Sequence, residues 1–419
     1  MESDELKDEK IQPTIQVYRK RWIILMIYFL CTCLSSTQWI EYSIITNVVM
    51  KYYNVSATMV DWTSLSFIII WPIFVFPASY IIDKMGLRFA VLTGILSTAL
   101  GSGVKVLSVG ENLFHVVLLG QMIVSVSQLF LLNLPSKLSV VWFKPEEIST
   151  VCSLGLLGMS SGTAISYLVP PIMVHDSDNM DEVAADLRVM NWGIFLLSIP
   201  LVPIVFFYFP ERPLNPPSMA MFEERNQRNK VTVSSFVKSF KHLMNNKAFH
   251  VHNIAYGCIM GIFSVLGTLL SQFVLSYFPD AQEDAGRMGS LMITAGFGGT
   301  ILCGIMLDKT HRYKILMSAY LPAGVEFATE ITYPSPESTV MGIICATSQI
   351  MAVALTIIFG EITTKFGAFW ALTGMIITMA LGTILSIMTP NALKRQTFFE
   401  MNNRVKFTQI SQQDNGNYP

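Results

Sequence analysis

The stretch Asp83-Lys84-Met85-Gly86-Leu87-Arg88 joins two apolar runs, residues 62–82 and 89–108, and concentrates charge where the runs themselves carry almost none. Each run is close to the ~20 residues that an α-helix needs to cross ~30 Å of hydrocarbon. Because unpaired backbone groups are costly in lipid, and because the runs lack the alternation of a membrane β-strand, they are expected to be helices. The pattern predicts a short charged turn between two membrane spans.

The composition is that of a protein surrounded by lipid. Of the 419 residues, 52% are hydrophobic and only 14% are charged, and the mean hydropathy is +0.49. Soluble domains of this total length would need more polar surface than these residues supply. We therefore predict an all-α polytopic membrane protein, working as a monomer in the lipid bilayer without a nucleic-acid partner.

Ten spans are predicted, with the N-terminus inside. The first begins near Trp22 and is followed by no small-residue cleavage site, so we interpret it as a span and not as a signal peptide. In this orientation 23 of the 28 basic residues are cytoplasmic, which agrees with the positive-inside rule. The predicted spans are 22–47, 62–82, 89–108, 114–136, 148–172, 190–210, 250–277, 288–307, 340–361 and 368–388.

The loops assigned to the outside are acidic. The loop at 175–186 carries five carboxylates, and the sequon Asn54-Val55-Ser56 lies in the first outer loop. Asn54 is therefore a predicted glycosylation site. We favour the plasma membrane as the location over a mitochondrial or other internal membrane.

The spans divide into two bundles. A cytoplasmic segment, 1–21, precedes a six-helix bundle at 22–210, and a charged cytoplasmic linker at 211–248 leads to a second bundle at 249–390 and a cytoplasmic tail at 391–419. Six spans, a charged linker and a second set of spans indicate an internal repeat.

The repeat shows that the second bundle is short. Asp308, after the eighth span, lies 225 positions after Asp83, whereas Leu321-Pro322 lies only 187 positions after Leu134-Pro135. The difference of 38 residues predicts that the second bundle lacks its ninth span and the first half of its tenth. The remaining apolar piece, 315–328, is too short to cross ~30 Å comfortably.

The two charged turns resemble the inter-span signature of the major facilitator superfamily, G-x-x-x-D-[RK]-x-G-[RK]-[RK]. Ser79 replaces the first glycine in one copy, and Thr310-His311 displaces the second glycine in the other. Such acidic and basic groups can pair with neighbouring helix ends and latch one face of the transporter; the competing interpretation is ordinary positive-inside charge. The candidate gating residues are Asp83, Lys84, Arg88, Asp308, Lys309 and Arg312, with Glu326 and Glu330 at the end of the shortened tenth span.

A narrower resemblance rests on three stretches: Trp39-Ile40-Glu41-Tyr42-Ser43-Ile44-Ile45-Thr46-Asn47, Asp61-Trp62-Thr63-Ser64 and Glu326-Phe327-Ala328-Thr329-Glu330-Ile331-Thr332-Tyr333-Pro334. They are similar to the feline leukaemia virus subgroup C receptor-related family of this superfamily, over about residues 20–390 apart from the gap. The resemblance implies a major facilitator fold with alternating access and choline or ethanolamine as substrate. Haem is the alternative cargo, and a non-transporting receptor or truncated isoform is a further alternative.

The first span carries polar and aromatic residues that suit such a substrate. A quaternary ammonium has no hydrogen to donate, so it is bound by aromatic faces and by shape. In a continuous helix, Trp39, Tyr42, Ser43 and Thr46 would share one face. The competing interpretation of Trp39 is an interfacial or helix-packing aromatic.

The resemblance also implies a site made of a Trp in the first span, a Gln in the fifth, a Tyr in the seventh and a Gln in the eleventh. Trp39 and Gln349 match, but Ser160 and Ser264 stand where the family has Gln and Tyr. Loss of the Tyr removes one aromatic wall, about 1–2 kcal/mol in a desolvated site. A primary or secondary amine that hydrogen-bonds to serine would therefore fit at least as well as choline.

Glu41 lies within the first predicted span, where an ionisable residue costs at least ~2.5–3.5 kcal/mol unless it faces water or a partner. It is a candidate coupling residue, or it pairs across a helix interface. Lys105 is expected to snorkel to the outer membrane face.

Chemistry other than transport has no support in the sequence. His250 and His252 are expected on opposite sides of a helix, and no phosphate-binding loop, nucleophile elbow or Cys-x-x-Cys pair is present. We expect no enzymatic activity, no cofactor and no metal site.

Overall fold

The computed structural model describes residues 18–110, 112–132, 134–144, 147–215, 243–310, 327–328, 331–332 and 337–389. Within these residues every regular element is a helix. The first bundle contains α1 (Lys20–Thr37), a 3-10 helix (Ser43–Ile45), α2 (Thr46–Tyr53), α3 (Ala57–Met85), α4 (Leu87–Val106), α5 (Phe114–Leu131), α6 (Pro135–Trp142), α7 (Ile148–Met173), α8 (Met180–Ser198) and α9 (Leu201–Tyr208). The second contains α10 (Lys247–Tyr277), α11 (Gln282–Thr310), α12 (Glu337–Phe366) and α13 (Ala368–Met388).

Helices lie at all ten predicted spans. Among the described residues, eight helical stretches are long and apolar enough to cross a membrane, with α8 and α9 together forming one of them, and α1 and α11 complete the set. The predicted spans 114–136 and 190–210 are each divided, because a new helix begins at Pro135 and another directly after Pro200. Pro135 stands at the first position of α6, where its missing N–H is not needed.

The first predicted span, 22–47, is the main correction. α1 ends at Thr37, and the chain passes through an interrupted segment, residues 38–42, before the 3-10 helix resumes at Ser43. The backbone N–H of Ile40 donates to Ser166 Oγ at 3.1 Å, and the carbonyl of Gln38 accepts from Gln121 Nε2 at 3.0 Å. Irregular backbone is tolerated at membrane depth where protein groups replace the helical bonds in this way.

The two ends of the molecule are easily distinguished. We call the end that carries Asn54 and Asp178 the acidic-loop face, and the end that carries Gly86, Lys144 and Glu211 the linker face. α10 and α12 run from the linker face to the acidic-loop face, and α11 and α13 run back.

Close helix pairs repeat in the two bundles. In the first, α7 approaches α1 so tightly that a Cβ at Gly162 would overlap the carbonyl of Cys33; in the second, a Cβ at Gly257 would lie 3.2 Å from Met351 of α12. The two contacts join nearly equivalent positions, because residues 33 and 257 are 224 apart and residues 162 and 351 are 189 apart, close to the offsets of the sequence repeat. Small residues let helix backbones approach in membranes.

The connection between α11 and α12 begins and ends at the linker face. Of its 26 residues, 311–336, the structure describes 327–328 and 331–332, and the Phe327 ring lies 5.3 Å from His252 near the start of α10. Two further crossings would need about 40 residues. The connection is therefore too short for both a complete ninth and a complete tenth span; the predicted loss of the ninth span and the first half of the tenth stays a prediction, because residues 311–326 lie outside the described residues.

Candidate functional site

Trp39 lies between the two bundles. Its side chain packs against a cluster formed by Leu65 and Ile68 of α3 and Ala352 of α12. Its indole Nε1 is buried and has no hydrogen-bond partner among the described residues. The interrupted segment thus presents an aromatic face at the bundle interface.

Ser264 faces the same place from α10. One turn further along α10, the carbonyl of Gly267 accepts a hydrogen bond from the Tyr167 hydroxyl at 3.0 Å, and a Cβ there would lie 3.7 Å from Ile40 of the interrupted segment. Residues three apart share a helix face, so buried Ser264 is directed toward the interruption.

Ser160 and Gln349 face the opposite bundle from α7 and α12. Ser160 shares a helix face with Tyr167, which fits against Gly289 of α11, and Gln349 shares a face with Ala352. Neither side chain makes a hydrogen bond with any described residue. Neither polar group is therefore hydrogen-bonded within the described part of the chain.

These four positions form two pairs related by the internal repeat. Trp39 and Ser264 are 225 residues apart, the offset that relates Asp83 to Asp308. Ser160 of α7 and Gln349 of α12 are 189 apart, the same separation as Gly162 of α7 and Met351 of α12. Repeat-related positions at a bundle interface are where transporters of this architecture place their substrate.

Tyr42 does not belong to this group. It is fully buried inside the first bundle, and its hydroxyl donates to Asn191 Oδ1 at 2.9 Å. Because α1 ends at Thr37 and residues 38–42 are not helical, Trp39 and Tyr42 do not lie on one continuous helical face; the role of Tyr42 in substrate binding stays a prediction.

Glu41 and Lys105 form an ion pair inside the first bundle, with 0% and 1% of their side chains exposed. Lys105 Nζ also approaches Gln121 Oε1 at 3.3 Å and lies 5.7 Å from the centre of the Tyr42 ring. The expectation that Lys105 snorkels is wrong, because α4 packs closely on α5 and encloses it. For Glu41, the geometry corresponds to pairing across a helix interface.

The bundles are joined near the acidic-loop face. Ser64 donates to Thr268 at 3.2 Å, and Gln272 donates to Asp61 at 2.7 Å. Closer to the loop, the Gln282 side chain donates to the carbonyl of Val174 at 2.9 Å. These contacts close that end of the interface.

The charged turn at the linker face is held within the first bundle. Arg88 donates to the Phe206 carbonyl of α9 at 2.6 Å, and the Glu211 carboxylate accepts from the backbone N–H groups of Leu87 and Arg88. A carboxylate is favourable at the N-terminus of α4. Lys84 is exposed; the side chains of Asp83, Asp308 and Lys309, and all of Arg312, Glu326 and Glu330, lie outside the described residues.

The acidic-loop face carries exposed ion pairs. Lys51 lies 2.6 Å from Asp178, and this hydrogen bond lowers the pKa of the Asp178 carboxyl and raises the pKa of the Lys51 ammonium. Asn54 is exposed in a left-handed conformation at the end of α2. Among the residues that the structure describes, no cluster of three or more His, Cys, Asp or Glu could hold a metal ion.

Several polar residues near the site were not predicted from the sequence. Gln121 and Asn191 lie within predicted spans, and this location could have identified them, because polar groups inside a span need partners. Asp61 was placed just outside a span, although α3 begins at Ala57.

Comparison with known proteins identifies the family. The Major Facilitator Superfamily model matches residues 25–329. The chain belongs to the major facilitator superfamily. It is a multi-pass membrane protein, and the resemblance to the feline leukaemia virus subgroup C receptor-related family is confirmed by the relatives found.

Three of these facilitators illustrate the similarity. The zebrafish (Danio rerio) choline/ethanolamine transporter flvcr2a is 33% identical over 418 residues, covering 91% of this chain and 88% of the relative. The cat (Felis catus) choline/ethanolamine transporter FLVCR1 is 34% identical, covering 91% and 75%. An uncharacterized MFS-type transporter of Caenorhabditis elegans is 36% identical, covering 93% and 72%.

Solved facilitator structures share the fold. The E. coli fucose:proton symporter superposes with a TM-score of 0.59 at 12% identity, covering 89% of this chain and 100% of that chain. A bacterial homolog of the lysosomal transporter Spinster, in an inward-facing conformation, gives a TM-score of 0.55 at 12% identity, covering 95% and 86%.

Proposed function

We propose that this facilitator transports a small organic cation of the choline or ethanolamine class between its two bundles by alternating access. The observation that carries the proposal is the interruption at 38–42, which presents Trp39 to the interface at a position related by the internal repeat to Ser264. Discontinuous helices of this kind line substrate sites in transporters. The relatives named as choline/ethanolamine transporters support the substrate class.

The chemistry of the four positions favours an ammonium group with a hydrogen to donate. Trp39 offers a π face, worth about 0.5–2 kcal/mol to a cation. Ser160, Ser264 and Gln349 offer oxygen acceptors. The side chains of Ser160 and Gln349 make no hydrogen bond with any described residue. The ammonium group of ethanolamine or another primary amine can use both the aromatic face and the oxygen acceptors. The quaternary ammonium of choline can use the aromatic face alone, and its own hydroxyl is the group left to form hydrogen bonds.

We place the acidic-loop face outside and the linker face in the cytoplasm, because the linker and both predicted charged turns are basic. The hydrogen bonds near the acidic-loop face then describe a state closed to the outside. We propose that the candidate gating residues, including Lys84 and Arg88, hold the opposite state, which is closed to the cytoplasm.

Haem is not favoured as cargo, because the relatives' names point to choline and ethanolamine and no described residue adds support for a porphyrin. A non-transporting receptor is retained as an outcome of the test, because the connection 311–336 is too short for two spans.

Uptake by the purified, reconstituted protein tests the proposal. We expect accumulation of labelled ethanolamine and choline into proteoliposomes, and loss of about tenfold or more of the uptake of each in Trp39→Ala, since the site loses its cation–π contact and its apolar wall. The matched control is Trp370→Ala on α13, where the side chain is 60% exposed and away from the interface.

The outcomes separate the candidate functions. Uptake that falls in Trp39→Ala and persists in Trp370→Ala supports the proposal. Absence of uptake of both amines by the folded, reconstituted wild type would leave the non-transporting receptor as the better description, and equal uptake by wild type and Trp39→Ala would remove Trp39 from the site.

A further inference from the structure

Side chains of the first bundle hold the backbone of the interrupted segment 38–42 in place. Its backbone is held at two points: Gln121 Nε2 donates to the carbonyl of Gln38 at 3.0 Å, and Ser166 Oγ accepts from the N–H of Ile40 at 3.1 Å. Trp39 lies between these two points. The conformation of the segment thus depends on side chains of α5 and α7.

The charged interaction on the segment is the buried ion pair between Glu41 and Lys105. It points into the first bundle, whereas the Trp39 indole packs against α3 and α12 at the bundle interface. The same few residues therefore carry an anchor on one side and the proposed substrate contact on the other. Moving Glu41 would move the backbone that carries Trp39.

We propose that the Glu41–Lys105 ion pair is a positioning element for substrate binding, which fixes the segment 38–42 so that the Trp39 indole faces the site. The inference rests on the proposed function, since it assigns the purpose of the anchor. Glu41 and Lys105 act through Trp39 and do not contact the substrate themselves.

The arrangement of charges supports positioning over direct recognition. Lys105 neutralises Glu41, and Lys105 is further surrounded by Gln121 and the Tyr42 ring. A cationic substrate that paired with Glu41 would have to displace Lys105 and leave an uncompensated charge in the interior, which is strongly unfavourable.

The informative variant removes both charges. Loss of one partner alone strands a buried charge, whereas replacement of a buried ion pair by apolar residues of similar volume is often tolerated. Glu41→Met/Lys105→Met is therefore expected to fold but to lack the directional anchor. Ser102→Ala, which removes another buried polar contact of α4, with Ser198, is the matched control.

Kinetics in two backgrounds test the link to Trp39. We expect the double methionine variant to raise the ethanolamine KM by about tenfold with little change in maximal rate per reconstituted molecule, and Ser102→Ala to leave both unchanged. In a Trp39→Leu background the two methionine substitutions should change KM by less than about twofold, because coupled residues are not additive. An equal rise in both backgrounds would overturn the inference.

Hydrogen exchange provides a readout that needs no substrate. In Glu41→Met/Lys105→Met, backbone amides of the segment 38–45 should exchange about tenfold faster than in wild type, with α10 unchanged, since local opening is less opposed. Unchanged exchange of 38–45 would contradict the inference. If wild type transports neither amine, the proposed function fails, and the exchange result still decides whether the ion pair holds the segment.

Discussion

Gln272 of α10 donates a hydrogen bond to Asp61 of α3 across the bundle interface, with 2.7 Å between Nε2 and Oδ1. Asp61 is 3% exposed, and the backbone of α12 at Gly360 lies beside its second oxygen. A buried carboxylate depends on its partners, because leaving it unsatisfied costs more than a typical hydrogen bond contributes. The contact therefore stabilises the state in which the acidic-loop face is closed.

Removal of this contact should open the acidic-loop face more often. Asp61→Ala is expected to increase, by about tenfold, the labelling rate of a single cysteine placed at Ser271, a buried position beside Gln272. The measurement uses a membrane-impermeant maleimide on intact cells. Asp61→Asn is the control, since its amide oxygen can still accept from Gln272; equal labelling of the alanine and asparagine variants would show that the hydrogen bond does not control closure.

Restoring an aromatic wall should shift selectivity toward choline. Ser264→Tyr places a ring at the position related to Trp39 by the internal repeat, and a desolvated cation–π contact of about 1–2 kcal/mol corresponds to a 5- to 30-fold gain in choline affinity. The ratio of choline to ethanolamine uptake measures the change.

The control for this substitution is Ser276→Tyr, near the acidic-loop end of α10, where the one hydrogen bond of the side chain among the described residues is to the Phe273 carbonyl of its own helix. We expect the uptake ratio to be unchanged in that variant. A choline affinity that did not rise in Ser264→Tyr, with protein of normal abundance, would place position 264 outside the cation site.

The glycine of the charged turn has a specific structural requirement. Gly86 has φ of 92°, and a Cβ there would overlap the Glu211 carboxylate that caps α4. Gly86→Ala should lower the thermal unfolding temperature in detergent more than Gly367→Ala, because Gly367 has nearly the same φ, 90°, but open space around it. Backbone strain alone costs about 1 kcal/mol and is common to both; equal shifts would mean that the Glu211 contact contributes nothing.

The orientation is testable with two exposed positions. A cysteine at Asp178, on the acidic-loop face, should react with an impermeant reagent on intact cells, whereas a cysteine at Lys144, on the linker face, should react only after permeabilisation. The reverse pattern would invert the proposed topology. Loss of a glycan in Asn54→Gln would give independent support for the same orientation.

The positions of the spans were predictable, whereas the interruption of the first was not. Apolar runs mark helices because lipid leaves few alternatives for the backbone. Residues 38–42 contain neither proline nor glycine, and their conformation is fixed by Gln121 and Ser166, which lie 83 and 126 positions away from their partners. Nothing local in the sequence indicates that the helix ends at Thr37.

The site was predictable in part. The internal offsets relate Trp39 to Ser264 and Ser160 to Gln349, and Trp39 packs at the bundle interface; the roles of the four residues in substrate binding stay predictions. The partner of Glu41 was not predictable, because Lys105 lies 64 positions away and near the end of its span. Its enclosure follows from the close packing of α4 on α5.

The shared end point of α11 and α12 has a topological consequence. A chain that leaves and re-enters at one face has lost an even number of crossings, so every later segment keeps its side of the bilayer. Loss of one crossing would turn α12 and α13 upside down and carry Gly360 away from Asp61. Only an even number of missing crossings preserves the parallel pairing of α10 with α12. The same condition keeps α12 at the bundle interface, where it packs against Trp39.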